Sequence, residues 1–532
     1  MDKLQYLFKL ELDKANQSTR YQIIPHIKSS KGERFSSSYA GGEIHLEAEN
    51  VLAALFGLHH LAFGIKSSHL AEFLGERHSR FSWRTLALKC TQQVAFTSSL
   101  SICIPNIPKK FWDTFCCRIL ELGYNSLLFA APSTAVSAGC KQSIHDFFNT
   151  IQSYGIRLIL EPKINLPHQC CVDPIVQKIL KEELSHFVEL FPQMNGLFLR
   201  GISLDTDALS HPLAKDLIQL DLIENEIALI EKVLKNIPLI YSITTTDLQQ
   251  AQQQAKWLPT LLDNVGKQTS IAFSALAGDP TLDHLPPNPF WNALRQSPDA
   301  SATPLIPLVN VGAFNQGSGL WPGLSSDLID HYLSRCYRHS FGGVVVLSDV
   351  IPRREALLDA ALWTTSQFLW KEFSSNLLLE TWFEVRRPEL NYPKFSSQLR
   401  KMRELTIALS KLRSTVSMPQ SEGRALAETI LSELKLLQAI FETSKGLKQQ
   451  QKKELSFYDY FLPFARDARR ITHRFMQQFQ ISIPYSRKDD DQGEGFWTEE
   501  GANGGVVLQE PFASTPGSHM NAIYQETYGL FI

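Results

Sequence analysis

Residues 156–203 contain IRLILEPKI (156–164), then IVQKILKEELSHFVELF (175–191), then GLFLRGIS (196–203). The outer two are short leucine-rich and β-branched runs, and the middle one repeats apolar residues at helical spacing. That succession predicts two parallel strands joined by a crossover helix. The same texture recurs on both sides of it. TLALKC (85–90), NSLLFAA (125–131), PLIYSIT (238–244), TSIAFSA (269–275), PLIPLVNV (304–311) and GGVVVLSD (342–349) bring the strand-like runs to eight. KKFWDTFCCRILELG (109–123), LIENEIALIEKVLKNI (222–237) and EALLDAALWTTSQFLWKE (355–372) supply further helices. Eight such units between residues 79 and 372 predict an α/β fold centred on a (β/α)8 TIM-like barrel. An open, doubly wound sheet is the alternative architecture, although the GxGxxG fingerprint of its dinucleotide-binding members is absent.

On the amino-terminal side, LFKLEL (7–12), YQIIPHI (21–27) and EIHLEAE (43–49) alternate apolar and polar residues as half-buried strands do. Asn50 then stands where it can cap the helical stretch NVLAALFGLHHLAFGI (50–65). Residues 1–78 therefore read as a small α+β domain. Beyond the barrel, residues 373–484 carry long helical patterns broken near 388–393, 418–423 and 446–456, which predicts an α-helical bundle region. Residues 485–532 are polar and glycine-rich and read as an irregular tail, with Trp497 as an anchor onto the body or an exposed contact.

The 532 residues hold 52 basic and 54 acidic side chains, a formal charge of −2, so nothing supplies the basic footprint of a general nucleic-acid binder. No stretch reaches the roughly 18 uncharged apolar residues of a membrane span, and no signal-peptide core is visible, so the expectation is a cytoplasmic protein. Among the eight cysteines, Cys116/Cys117 and Cys170/Cys171 are adjacent in sequence and no CxxC occurs, so reduced thiols are expected. His168, His284 and His339 lack metal-ligand spacing, phosphate loops and G-x-S-x-G elbows are missing, and neither a metal nor a cofactor is expected.

In a barrel of this kind the chemistry sits where the strands end. The third run is followed by Glu161, Lys163, Asn165 and His168, and the fourth by Arg200, Asp205 and Asp207. Asp279 and Asp283 follow the sixth, Asn310, Asn315, Gln316 and Trp321 close the seventh, and Asp349 follows the eighth. Carboxylates, amides and a tryptophan gathered in one cup suit a carbohydrate, whose hydroxyls need many partners and whose ring faces stack on indole. The segment NVGAFNQGSGLWPG (310–323) reads as a binding loop, or as a rigid loop with its tryptophan packed beneath a helix. Glu161, Asp205, Asp207 and Asp349 are the candidate catalytic carboxylates. Each also has a structural reading, as a partner of Arg200 or Lys163 or as a helix cap. Arg200 suits either a substrate carboxylate or a salt bridge, since burying it unpaired is costly.

FSWRTLALK (81–89), YGIRLILEPKINLPHQ (154–169) and LFPQMNGLFLRG (190–201), following a small α/β domain, resemble the glycoside hydrolases that place such a domain before a catalytic barrel, namely the β-N-acetylhexosaminidase and α-glucuronidase families. The resemblance spans about residues 20–210. It implies a substrate-binding role for Arg84, in Trp83-Arg84. The hexosaminidase third-strand pattern EIDxPGH is similar to KINLPHQ, so Lys163 and Asn165 stand where that family carries Glu and Asp. Where the same family carries an adjacent Asp-Glu pair, this chain reads Gly201-Ile202-Ser203-Leu204-Asp205. The α-glucuronidase pattern puts its general acid at Leu204, one residue before Asp205.

The expectation is therefore a glycoside hydrolase acting on amino-sugar or uronic-acid-containing glycans. The alternatives are a catalytically degenerate barrel that binds glycans or serves as a scaffold, and a barrel enzyme of another class such as a lyase or deacetylase. The substrate-binding candidates are Arg84, Arg200, Asn310, Asn315, Gln316, Trp321 and His168. The C-terminal helices either complete the barrel's outer wall or pair two subunits into a homo-oligomer.

Overall fold

The computed structural model describes residues 3–30, 32–88, 109–130, 138–162, 174–200, 212–243, 248–266, 268–274, 305–312, 326–348, 357–371, 373–414 and 420–442, with positions 465, 468, 469, 472, 473 and 476. The chain opens with helix α1 (Lys3–Ser18), followed by strands β1 (Gln22–Ile27), β2 (Arg34–Ala40) and β3 (Glu43–Ala48). Helices α2 (Val51–Lys66) and α3 (Leu70–Phe73) and strand β4 (Gly75–His78) complete this part. The strands form one sheet in the order β1-β3-β2-β4, with β1 parallel to β3 and the other pairings antiparallel.

Two departures from expectation lie here. LFKLEL belongs to helix α1 rather than to a strand. Leu7, Phe8 and Ala15 are buried and Leu4 and Leu12 partly so, a spacing of three and four that puts them on one helical face. Its period-two alternation is local coincidence. The serine-rich RFSSSYA, not anticipated as a strand, forms β2 because Phe35 and Ser37 point under α2 while the intervening residues face outward.

Helix α2 begins as its sequence predicts, with the Asn50 side-chain oxygen accepting from the Ala53 amide at 2.9 Å. It is apolar nearly all round because it is covered on several sides. At Gly57 a Cβ would lie 2.9 Å from both Leu46 and Phe35, so only glycine lets the helix sit this close to the sheet.

The barrel strands are β5 (Trp83–Leu88), β6 (Ser126–Ala130), β7 (Arg157–Glu161), β8 (Gly196–Arg200), β9 (Leu239–Ile243), β10 (Thr269–Ser274), β11 (Leu305–Gly312) and β12 (Gly343–Ser348). All eight anticipated runs are strands. They pair in parallel, and β12 returns to β5, so the sheet is closed rather than open. The described helices between and after them are α4 (Trp112–Glu121), α5 (Ala138–Ser153), α6 (Pro174–Leu190), α7 (Pro212–Leu234), α8 (Leu248–Asn264), α9 (Ser326–Arg338) and α10 (Leu357–Phe368). Helices α11 (Ser375–Arg386), α12 (Tyr392–Ser414) and α13 (Gln420–Glu442) follow. Among the described residues no helix is long and apolar enough to cross a membrane.

A buried ionic group ties α4, α10 and α11 together. Arg118 bonds Glu121 at 2.9 Å and also pairs with Asp359; Arg386 reaches Glu121 at 2.8 Å, and the Trp382 indole donates to Asp359 at 2.9 Å. Charges this far from water hold only when every member is partnered. On the opposite wall, Tyr241 of β9 donates to Glu226 of α7 at 2.7 Å. Burial pushes the Glu226 carboxyl up to about 7, against the opposing effect of the Tyr241 hydrogen bond.

Two predictions follow from these contacts. Asp359→Ala orphans the Trp382 N–H and removes a buried carboxylate that pairs with Arg118, so stability measured by urea unfolding should fall by roughly 3 kcal/mol; an unchanged midpoint would remove the network from the fold's support. For Glu226 the folded protein favours the protonated acid, so its contribution is complete below the ordinary carboxyl value of 4.5 and is lost as pH rises to about 7. Glu226→Gln should abolish that slope, worth on the order of 3 kcal/mol, in melts recorded from pH 4 to 8.

Candidate active site

The barrel interior is filled by alternate residues of each strand. Ala87, Leu128, Ile159, Phe198, Ile240, Ala272, Ile306, Leu308 and Val345 form a packed cluster of their own, with Trp83 and Leu347 against it. This is a solid core rather than a channel. Thr85 and Ser126 share a 2.7 Å hydrogen bond, so these two inner hydroxyls satisfy one another. At the amino end, Trp83 lies under the Arg157 guanidinium, 5.3 Å from ring centroid to charge. Its indole reaches across to β8, where a Cβ at Gly196 would stand 3.6 Å from the ring. With that end filled, there remains the carboxyl rim, the end at which barrels of this fold carry their sites.

Glu161 is the last residue of β7, paired with Ala130 and half-buried. It lies two residues beyond the inward Ile159, so strand alternation turns its carboxylate toward the barrel axis at the rim. Arg200 ends the neighbouring β8 in register with Ser242, itself buried on the inner phase of β9. Asn310 pairs with Leu347, and the register shifts between Asn310 and Gly312. Bulges of this type recur at barrel rims, where they re-aim a side chain or end the pairing. Strands β7 and β8 stand opposite β11 and β12 around the ring, so Glu161 and Arg200 lie across the mouth from Asn310.

His168, Asp205, Asp207, Asn315, Gln316, Trp321 and Asp349 lie outside the described residues, as do Lys163, Asn165, Asp279 and Asp283. By chain order they follow strands β7, β8, β10, β11 and β12. Glu161, Arg200 and Asn310 are thus the candidates that the described strands bring to one rim.

Arg84 is placed elsewhere. It is the second residue of β5, at the amino end of the barrel, 1% exposed. Its guanidinium pairs with Glu33 and donates to Ser79, to the Phe81 carbonyl and, at 3.0 Å, to the Gly123 carbonyl, while lying 4.5 Å from the Trp370 ring centroid. Burial lowers its pKa and Glu33 opposes that effect. The strand runs from Trp83 toward Leu88, so position 84 lies at its amino end, away from the rim. Ser242 was not singled out from the sequence. The available signal was a lone hydroxyl residue at an inner position of the apolar run PLIYSIT.

No known family profile matches the chain, and no curated protein matches it by sequence. Among solved structures it is similar to a GH138 enzyme targeting pectin rhamnogalacturonan II, with 12% identity and a TM-score of 0.57 over 89% of this chain and 69% of that one. A GH20 exo-β-N-acetylglucosaminidase from Vibrio harveyi, in complex with N-acetylglucosamine, aligns with 12% identity and a TM-score of 0.42 over 75% and 72% of the two chains. The likeness to the GH138 enzyme extends well beyond the barrel, so the arrangement of barrel and flanking parts is a shared fold.

The placement of Arg84 makes a prediction. Arg84→Met removes the buried cation that pairs with Glu33, leaving that carboxylate the Asn125 amide, and should lower stability by roughly 3–5 kcal/mol in chemical denaturation. Glycan affinity per folded molecule should stay unchanged, and a selective loss of affinity would return Arg84 to the binding site.

Proposed function

We propose that the protein is a glycoside hydrolase working at the carboxyl rim of its barrel on glycans that contain uronic acid. The observation that carries this reading is Glu161, which ends an inner strand position of a closed barrel beside the strand that ends in Arg200. A carboxylate gives acid–base or nucleophilic chemistry. An arginine at the end of the neighbouring strand suits a sugar carboxylate, which a guanidinium grips with two parallel hydrogen bonds. The likeness to an enzyme that targets pectin rhamnogalacturonan II is consistent with an acidic glycan.

Glycoside hydrolysis needs a proton for the leaving oxygen and a second carboxyl that activates water or attacks the anomeric carbon, the two being roughly 5–9.5 Å apart. In this reading Asp205 is the acid and Glu161 the second carboxylate, with Asp207 and Asp349 the remaining acidic candidates. The acid's proton passes to the glycosidic oxygen as the C1–O bond breaks. Water supplies the hydroxyl that ends on C1 and returns a proton to the carboxylates. Trp321 offers a face for the sugar ring, and Asn310, Asn315, Gln316 and His168 offer hydroxyl partners.

One observation favours a second reading, a barrel that binds such glycans without cleaving them. Lys163, Asn165 and Leu204 stand at positions where the resembled families carry acids. A single experiment separates the two. Purified protein is incubated with uronic-acid-containing and amino-sugar oligosaccharides, and reducing ends are counted for wild type, Glu161→Gln and Asp205→Asn. Hydrolysis of the uronic substrates that drops by about 10²–10⁴-fold in each variant supports the enzyme. Saturable binding without product supports the binding reading. Cleavage confined to amino-sugar substrates, or retained in both variants, overturns the proposal.

A further inference from the structure

A cleft of about 240 Å³ opens where α1, α2, α4 and α11 meet. It lies at the amino end of the barrel, since α4 ends at Glu121 shortly before β6 begins, so it is separate from the rim. Its apolar surface comes from Leu58, Ala62, Phe63 and Val385. Its polar surface comes from Glu11, Lys14, His59, Lys66, Glu121 and Arg386, with Ser18 and Thr19 at the end of α1.

The charges can be traced through. Lys14 bonds Glu11 at 2.7 Å, which neutralises both. Glu121 and Arg386 belong to the buried group with Arg118 and Asp359, two cations and two carboxylates. Lys66 is left over: it is exposed, and among the described residues no carboxylate pairs with it. The carbonyl ends of the surrounding helices do not supply the missing negative charge in full, because hydroxyls already cover several of them. Ser18 and Thr19 donate to the Ala15 carbonyl at 3.2 and 3.0 Å, and Ser67 donates to the Gly64 carbonyl at 3.2 Å. The cleft therefore combines an apolar wall with the exposed Lys66 ammonium at its edge.

We propose that this cleft binds a small monocarboxylate with an apolar body, its carboxylate at Lys66 and its body against Leu58, Ala62, Phe63 and Val385. A polyhydroxylated acid would leave the apolar wall facing hydroxyls. Because the cleft joins the amino-terminal helix, the small domain, the barrel and α11, occupancy favours the assembled state over any opening among them.

The test is calorimetric titration of the full-length protein with 3-phenylpropanoate, beside the neutral 3-phenylpropan-1-ol and the hydroxylated acid galacturonate. The expected result is saturable binding with a dissociation constant on the order of 1 mM. The alcohol, and Lys66→Met titrated with the acid, should each bind about fivefold more weakly. Ala62→Phe should fill the space and eliminate binding, while Lys66→Met, at an exposed position, keeps the wild-type melting temperature and guards against misreading a folding defect. No saturation, equal affinity for the alcohol, tighter binding of galacturonate, or indifference to Lys66→Met each overturns the proposal.

Discussion

Between β12 and β5 the ring of strands closes, and the seam is tight: a Cβ at Gly343 would come within 2.8 Å of the Trp83 Cβ. Only glycine at that position lets the eighth strand lie against the first while Trp83 turns inward and fills the amino end. Everything functional depends on that closure. A closed ring has no free edge, so the carboxyl ends of its strands surround one mouth although they derive from stretches some two hundred residues apart. Glu161, Arg200 and Asn310 share a rim for this reason and for no reason visible in their own neighbourhoods.

The small domain is held to the barrel from the end opposite that rim, and the means are mostly aromatic. Phe56 of α2 stacks on Trp370 with ring centroids 4.3 Å apart and planes within 7°, and Phe63 stacks on Trp363 at 4.3 Å. The polar residues caught between these rings are each given a partner. His60 bonds Gln367 at 2.7 Å, and burial, aided by nearby Arg77, holds its pKa down to about 3, so the ring is neutral. Arg77 donates to the Glu72, Leu74 and Glu76 carbonyls. Arg84 has Glu33. Leaving any of these groups unpartnered would cost a substantial fraction of a domain's net stability.

How much of this was legible depended on what each residue must satisfy locally. The barrel strands are buried on both faces, so they appear as compact apolar runs such as GGVVVLSD, and their number and order could be counted directly. Asn50 could be recognised as a cap because the N–H it accepts is three residues away. LFKLEL misled because six residues are too few to separate a period of two from one of 3.6 when both fit the same hydrophobic positions. RFSSSYA was overlooked because a sheet covered by one helix demands only Phe35 and Ser37 on the inside, and serine carries little signal. For Arg84 a family likeness implies a substrate, while the fold sets it at the amino end of its strand beside Glu33. The distinction between the two ends of a strand is absent from a motif and present only once the chain has a course in space.

The buried charges and the candidate site therefore occupy opposite ends of one scaffold, and the separation has a physical logic. Arg118, Glu121, Asp359 and Arg386 stabilise only when all are present in a fixed geometry, which makes the amino end intolerant of movement. Glu161 is half-buried at a terminus, and the bulge at Asn310 already relaxes the pairing beside it. A rigid base with replaceable turns lets substrate recognition change without disturbing the core. It also fits one architecture being shared by this chain and a GH138 enzyme at 12% identity, because the packing demands of the ring can be met by many apolar residues.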